Sequence, residues 1–190
     1  GAPCPTISTT KSGIKICRVH VENGEVTTVT VDMGKAELVP AKIPVDFPGD
    51  TAVKEKITVL DKEYEVTCVS MGNPHCVVFC DRVDAVDVEA VGPQFENADI
   101  FPERVNAEFV RVVNRRTLKM RVWERGNGET LACGTGACAA VVAAVENGYC
   151  DAGVDITVKV RGGDLIVSYT PEGVTLTGET ALAFEGTVVC

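Results

Sequence analysis

The stretch Gly134–Tyr149, GTGACAAVVAAVENGY, is rich in Ala and Val and apolar on almost every side. A helix without a polar face must be buried all round, so the rest of the chain has to wrap it. Gly148 supplies a C-terminal stop. The surroundings read as strands. IKICRVHV (14–21) alternates apolar and polar residues, and EVTTVTVDM (25–33) follows a Glu22-Asn23-Gly24 turn that tolerates positive φ. KITVLDKEYEVTCVSMG reads as a hairpin with Asp61-Lys62 at its tip, and HCVVFC (75–80) as a buried strand. AEFVRVVN (107–114) and TLKMRVWERG (117–126) join at Arg115-Arg116. DITVKVRGGDLIVSYT turns at Gly162-Gly163, and GVTLTGE and ALAFEGTVV finish the chain as strands. A short helix is expected near Val88–Val91. Hairpins around a single helix predict an α+β fold: a mixed, mostly antiparallel sheet wrapped around one central buried helix.

At 45% hydrophobic and 24% charged, the chain has the balance of a globular protein. Its net charge of -9 disfavours nucleic acid as a partner, because phosphates would be repelled. No apolar run approaches the length of a membrane span, and the first residues lack the pattern of a signal peptide. The nine cysteines do not fall into CxxC pairs and only two histidines accompany them, which argues against a metal site. Most read as small buried hydrophobes in a reducing cytoplasm.

One cysteine stands apart. Cys133, in ERGNGETLACGTGACAA (124–140), lies where the loop gives way to the helix. The first turn of a helix carries unpaired N–H groups and the positive end of the dipole, which favour a thiolate and can cradle a carboxylate. Neither phosphate-loop pattern, GxxxxGK[ST] or GxGxxG, is present. Glu124 and Arg125 end the preceding strand, and Arg125 could clamp a substrate carboxylate. Asn73-Pro74-His75 forms a polar turn into a buried strand and offers His75 for proton transfer. Asn106, just before the next strand, could bind substrate or cap a turn.

SMGNPHCVVF (70–79), FPERVNAEF (101–109) and ERGNGETLACGTGACAA together resemble the diaminopimelate epimerase family in order, spacing and wording. The match is close across Ser70–Ala140, and weaker similarity, including PAKIPV (40–45), covers the rest. Related folds occur in the proline racemase and phenazine-biosynthesis families. The resemblance implies two similar domains, each a sheet around a central helix, with the active site between them. It also implies interconversion of LL- and meso-diaminopimelate without a cofactor, by a thiolate–thiol pair of cysteines on opposite faces of the α-carbon. Cys133 would be one of the pair. His75 would support proton transfer on the opposite side, Glu124 would influence thiol protonation, Gly134 and Thr135 would hold the α-carboxylate, and Asn73, Asn106, Glu124 and Arg125 would contact the substrate. The partner implied is a small amino acid, with no metal. A carboxylate-binding module and a proline-type racemase are the alternative readings.

The same resemblance places the second cysteine in a Gly-Asn-rich turn ahead of the region matching Thr6–Ile14, and no CGNG stands here. The chain therefore reads as a fragment with one of two bases, inactive alone. Residues 1–39 would be remnant strands of the first domain, 40–180 the second domain, and 181–190 a strand returning to the first. Pro40, Pro44, Pro48 and Gly49 mark the crossover. Orphaned strands expose edges and apolar faces, so self-association, or disorder over Gly1–Val39, is expected.

Overall fold

A computed structural model describes residues 5–10 and 13–187. Twelve strands form a single sheet. The strands are β1 (Pro5–Thr10), β2 (Gly13–Glu22), β3 (Glu25–Gly34), β4 (Glu55–Val59), β5 (Lys62–Ser70), β6 (Pro74–Phe79), β7 (Asn106–Asn114), β8 (Thr117–Glu124), β9 (Gly128–Thr130), β10 (Asp155–Val160), β11 (Gly163–Thr170) and β12 (Gly173–Glu179). Their order across the sheet is β1-β2-β3-β12-β11-β10-β8-β7-β6-β5-β4, with β9 added to β8. Only β6–β7 and β10–β8 run parallel. The expected mixed, mostly antiparallel sheet is the one observed. The turns expected from Asn and Gly are also observed, Asn23 and Gly24 both taking positive φ.

Helix α2 (Gly134–Glu146) lies against one face of the sheet. It is buried without interruption from Gly136 to Ala144, as its lack of a polar face requires. It ends three residues before the expected Tyr149, at an Asn147 cap followed by Gly148 at φ +78°. The cap is held from inside: Asn147 Nδ2 donates to Ala143 O at 2.7 Å and Thr67 Oγ1 at 2.8 Å.

The period-two alternation of the strands makes two cores. Val69, Val77, Val110, Leu118, Met120 and Val122 face α2. Val66, Cys68, Cys76, Val78, Ala107 and Phe109 face the opposite side. There they meet a second helix, α1 (Val88–Glu96), and the segment after β3, which contributes Ile43, Val45, Phe47 and Ala52. The sequence located α1 but made it too short, because Gly92 and Pro93 read as breakers; Pro93 stands inside the helix. The proline-rich crossover is thus packed rather than a free linker.

Strands β1–β3 continue the same sheet through β3, which pairs antiparallel with β12. The expected disorder over Gly1–Val39 is not met in its described part, which is largely strand; residues 1–4 and 11–12 lie outside the described residues. The expected final strand over 181–190 also differs. Residues 181–187 form no strand, and Leu182 and Phe184 are exposed. Thr180 N donates to Thr27 O, and the Thr180 hydroxyl donates to Val26 O at 2.9 Å, beyond the last paired residue of β12. No described helix is long and apolar enough to cross a membrane.

Candidate active site

Sheet register gathers the candidate residues. In the parallel β6–β7 pair His75 stands beside Asn106, and in the antiparallel β7–β8 pair Ala107 stands beside Trp123. The starts of β6 and β7 and the end of β8 therefore meet at one edge, with Asn73 just before β6 and Glu124 and Arg125 at and just after the end of β8. The head of α2 closes on this edge: Asn73 Nδ2 donates to Thr135 Oγ1 at 3.3 Å.

Cys133 is the N-cap of α2, in extended conformation at φ -133° and ψ 111°. Its Sγ accepts from Gly136 N at 3.4 Å, as an N-cap oxygen would, and lies 3.5 Å from Thr135 Oγ1. The residue is 8% exposed. The expectation of an acidified thiol is overturned here. Burial pushes the Cys133 thiol up to about 11 and the negative charge of Glu108 adds to the rise, while the Thr135 hydroxyl and Gly136 N–H pull it down less. Glu124 also raises it, by a smaller amount. The helix-head contribution is present but is outweighed by desolvation.

His75 is fully buried between two partners. Nδ1 is 2.7 Å from Glu108 Oε1, and Nε2 is 3.0 Å from Asn73 Oδ1. The side chains of His75 and Glu108 share the α2-facing side of the sheet with Val77 and Val110. Glu108 is absent from the sequence-derived set. Its signal was available: AEFVRV is apolar on both faces, so a carboxylate within it must be buried and needs a partner. Burial raises the Glu108 carboxyl, and His75 opposes the rise.

Asn106 does not point both ends of its amide at open space. Its Nδ2 donates to Pro74 O at 2.8 Å, and its Oδ1 accepts from Arg125 N at 2.9 Å. It staples the start of β6 to the loop after β8. Arg125 donates from Nη1 to Glu103 O at 2.7 Å. Glu124 accepts from the Thr130 hydroxyl, across the β8–β9 loop. Gly134 N–H opens the helix beside Leu176 of β12; a Cβ there would stand 3.0 Å from Leu176 Cδ2.

A further residue that the sequence left unmarked shapes this loop. Glu96, at the end of α1 and 5% exposed, accepts from Trp123 Nε1 at 2.7 Å, Arg104 Nη1 at 2.9 Å and Gly126 N at 2.9 Å. It fixes both sides of Glu124-Arg125 at once.

A family model described as diaminopimelate epimerase matches residues 67–182, the part that contains the whole site. The chain belongs to the diaminopimelate epimerase family. It is 49% identical over 181 residues to the diaminopimelate epimerase of Acetivibrio thermocellus, covering 94% of this chain and 64% of that protein. It is 45% identical over 181 residues to that of Methanococcus maripaludis, covering 94% and 65%. The chain thus spans just under two thirds of the length of these curated relatives. Among solved structures, a hydroxyproline epimerase from Agrobacterium vitis with bound trans-4-hydroxy-L-proline superposes with a TM-score of 0.67 at 15% identity, covering 94% of this chain and 57% of that one. A probable proline racemase from Agrobacterium radiobacter gives 0.68 at 13% identity, covering 97% and 62%. At such identities the superpositions establish the shared fold.

Proposed function

We propose that this chain carries one half of the acid–base machinery of a cofactor-independent amino-acid epimerase, interconverting LL- and meso-diaminopimelate in the synthesis of lysine and cell-wall precursors. The carrying observation is the sulfur of Cys133, set among the Gly136 N–H and Thr135 hydroxyl at the head of a buried helix. Inversion at an α-carbon needs a base on one face and an acid on the other. A thiol that stays protonated suits the acid. Its S–H bond breaks as the proton passes to the α-carbanion, and the Gly136 N–H and Thr135 hydroxyl receive the charge that appears on sulfur. The base would be a thiolate on the opposite face, as in the family. The N–H groups of the first turn, at Gly134 and Thr135, would hold the α-carboxylate. Asn73, Glu124 and Arg125 would orient the amino-acid end. His75 supports proton transfer through Asn73, and Asn106 acts by holding the Arg125 backbone.

Among the described cysteines, Cys17, Cys68, Cys76, Cys80, Cys133, Cys138 and Cys150 are free, which supports a reducing, cytoplasmic setting. Ile14 and Ile16, on one face of β2, are 69% and 49% exposed, a patch that supports self-association of this chain. Light scattering should then show mass rising with concentration, and a monomer at all concentrations would refute it.

The function is tested by α-deuterium incorporation from D2O into LL-diaminopimelate, with L-proline alongside. The acid of one direction is the base of the other, so slow incorporation into diaminopimelate, rising with pH as the thiolate fraction of Cys133 grows and abolished by Cys133→Ser, is the expected result. Incorporation that survives this substitution, or a preference for proline, overturns the assignment. Saturable binding with no incorporation favours the second reading, a carboxylate-binding module at the same helix head.

A further inference from the structure

We propose that Glu108 is a positioning residue: with His75 it forms a sealed couple that shares one proton, presents Nε2–H to Asn73, and thereby holds the Thr135 hydroxyl on the sulfur of Cys133. The proposal rests on the acid–base reading of Cys133 given above. It concerns a residue whose carboxylate touches His75, with no contact to the reacting atoms required.

The side chains form an unbroken path. Glu108 Oε1 meets His75 Nδ1 at 2.7 Å, His75 Nε2 meets Asn73 Oδ1 at 3.0 Å, Asn73 Nδ2 meets Thr135 Oγ1 at 3.3 Å, and Thr135 Oγ1 meets Cys133 Sγ at 3.5 Å. Asn73 Oδ1 can only accept, so Nε2 carries a proton. One further proton then lies between Nδ1 and Oε1. Placed on nitrogen it gives an imidazolium–carboxylate pair, and on oxygen an imidazole and a carboxylic acid. Either way the couple has no net charge, the condition under which two wholly buried groups are tolerated.

The path closes on itself. The point where a Cβ on Gly136 would stand is 2.8 Å from Glu108 Oε1 and 3.2 Å from Cys133 Sγ. Carboxylate and thiol thus flank the same glycine, whose lack of a side chain admits both. Glu108 Oε2 is buried and has no hydrogen-bond partner. An unpaired buried carboxylate oxygen costs stability, so this one calls for an explanation. The other titratable groups facing the thiol are Glu124 from β8 and Cys138 from α2; those facing Glu108 are His75, Glu124 and Cys76. Of these, Glu108 is the carboxylate that acts most strongly on the sulfur.

Two measurements on the chain without substrate test the proposal, so their outcome is independent of the deuterium experiment. The first is the pH dependence of Cys133 alkylation by iodoacetamide, read by peptide mass spectrometry, in the wild type, Glu108→Gln and Glu108→Asp. Glu108→Gln removes the shared proton along with the carboxylate, so the net charge of the couple is kept while its hold on the Thr135 hydroxyl is lost. The profile should move to higher pH, with about a tenfold loss of thiolate for each unit moved, and a move to lower pH would make Glu108 a bare charge and overturn the proposal. Glu108→Asp should stay closer to the wild type. Superimposable profiles would leave Glu108 a packing residue. The second is 15N NMR of histidine-labelled wild-type chain, where His75 should show a protonated Nε2. A bare Nε2 overturns the proposal even if Glu108→Gln fails to fold. In a folded Glu108→Gln, Nδ1 should move to the unprotonated position, and an unmoved Nδ1 also overturns it.

Discussion

Gly92 lies inside α1 with the Trp123 ring against its backbone. An alanine Cβ there would stand 2.5 Å from Trp123 Cδ2 and Cγ and 2.7 Å from its Cβ. Ordinary carbon contacts begin near ~3.5 Å, so the ring must retreat by about 1 Å. The ring is tethered, its Nε1 donating to Glu96 Oε2 at 2.7 Å, and the same retreat takes that bond past hydrogen-bonding distance. Overpacking costs ~1–3 kcal/mol. A lost bond to a charged acceptor costs ~1.5–3 kcal/mol. Alanine returns ~1 kcal/mol of helix propensity. Gly92→Ala should therefore destabilise by about 2–4 kcal/mol. Trp123 is the only tryptophan in the chain, so its fluorescence reports the ring directly during urea unfolding. The expected result is a lower midpoint together with a changed native emission. The clash also requires non-additivity: with Trp123→Ala already in place, which removes Cγ and Cδ2 and leaves only the Cβ contact, Gly92→Ala should cost less, read by far-UV circular dichroism. A Gly92→Ala chain as stable as the wild type, with unchanged emission, would refute the reasoning.

Gly136→Ala should destabilise by ~1–2 kcal/mol despite its better helix propensity, because its Cβ meets the buried Glu108 Oε1 at 2.8 Å. Gly134→Ala meets only the flexible end of Leu176, so it should be near neutral, and equal urea midpoints for the two variants would count against this account. Glu129 accepts two bonds from Arg121, at 2.8 and 3.0 Å, and lies 3.1 Å from Arg161, which together hold its carboxyl below the usual range. A lowered folded value stabilises fully above the unfolded carboxylate range and is lost as pH falls through the folded value. Glu129→Gln should thus cost ~1.5–3 kcal/mol at neutral pH, with the gap to wild type closing in acid; a gap independent of pH would be the contrary result. Thr135→Val removes a hydroxyl that favours the thiolate of Cys133. Its alkylation should be slower than wild type at mildly alkaline pH, and a faster reaction would contradict the assigned contact.

The buried helix, the hairpins and the mixed sheet were legible because each rests on a local pattern. An all-apolar helix has one solution, and period-two alternation fixes which strand face is inside. Helix α1 was legible only in its first turn, since Gly92 and Pro93 argue against a helix locally. The packing of Gly92 under Trp123 that rewards the glycine is between residues far apart in sequence. The site was legible as a set of residues and less so as a set of contacts. Asn73, His75, Cys133 and Thr135 do come together. Asn106 read equally as a substrate contact or a turn cap, and its bonds to Pro74 O and Arg125 N depend on the parallel β6–β7 register, which no local pattern reveals. Glu96 and Glu108 were passed over for a related reason. A carboxylate reads as surface until its strand or helix is known to be enclosed on that side.

The thiol shows two physical effects in opposition at one atom. A helix head stabilises the anion over its first turn by ~0.3–1 kcal/mol when exposed and up to about 2 kcal/mol when partly buried. Burying a charge costs more than that unless it is paired. Cys133 receives the first effect through Gly136 N–H and meets the second through its enclosure and the carboxylate beyond Gly136. Desolvation prevails, so a motif that suggests an ionised thiol base from its sequence instead holds a thiol whose pKa is raised. That outcome suits inversion at carbon better than a permanent thiolate would. An acid must hold its proton until a carbanion forms beside it, and the N–H and hydroxyl that fail to ionise the free thiol are in place when the charge arrives on sulfur. In the proposed epimerisation the same donors would contribute little in the resting state and more in the transition state, the condition for accelerating a reaction.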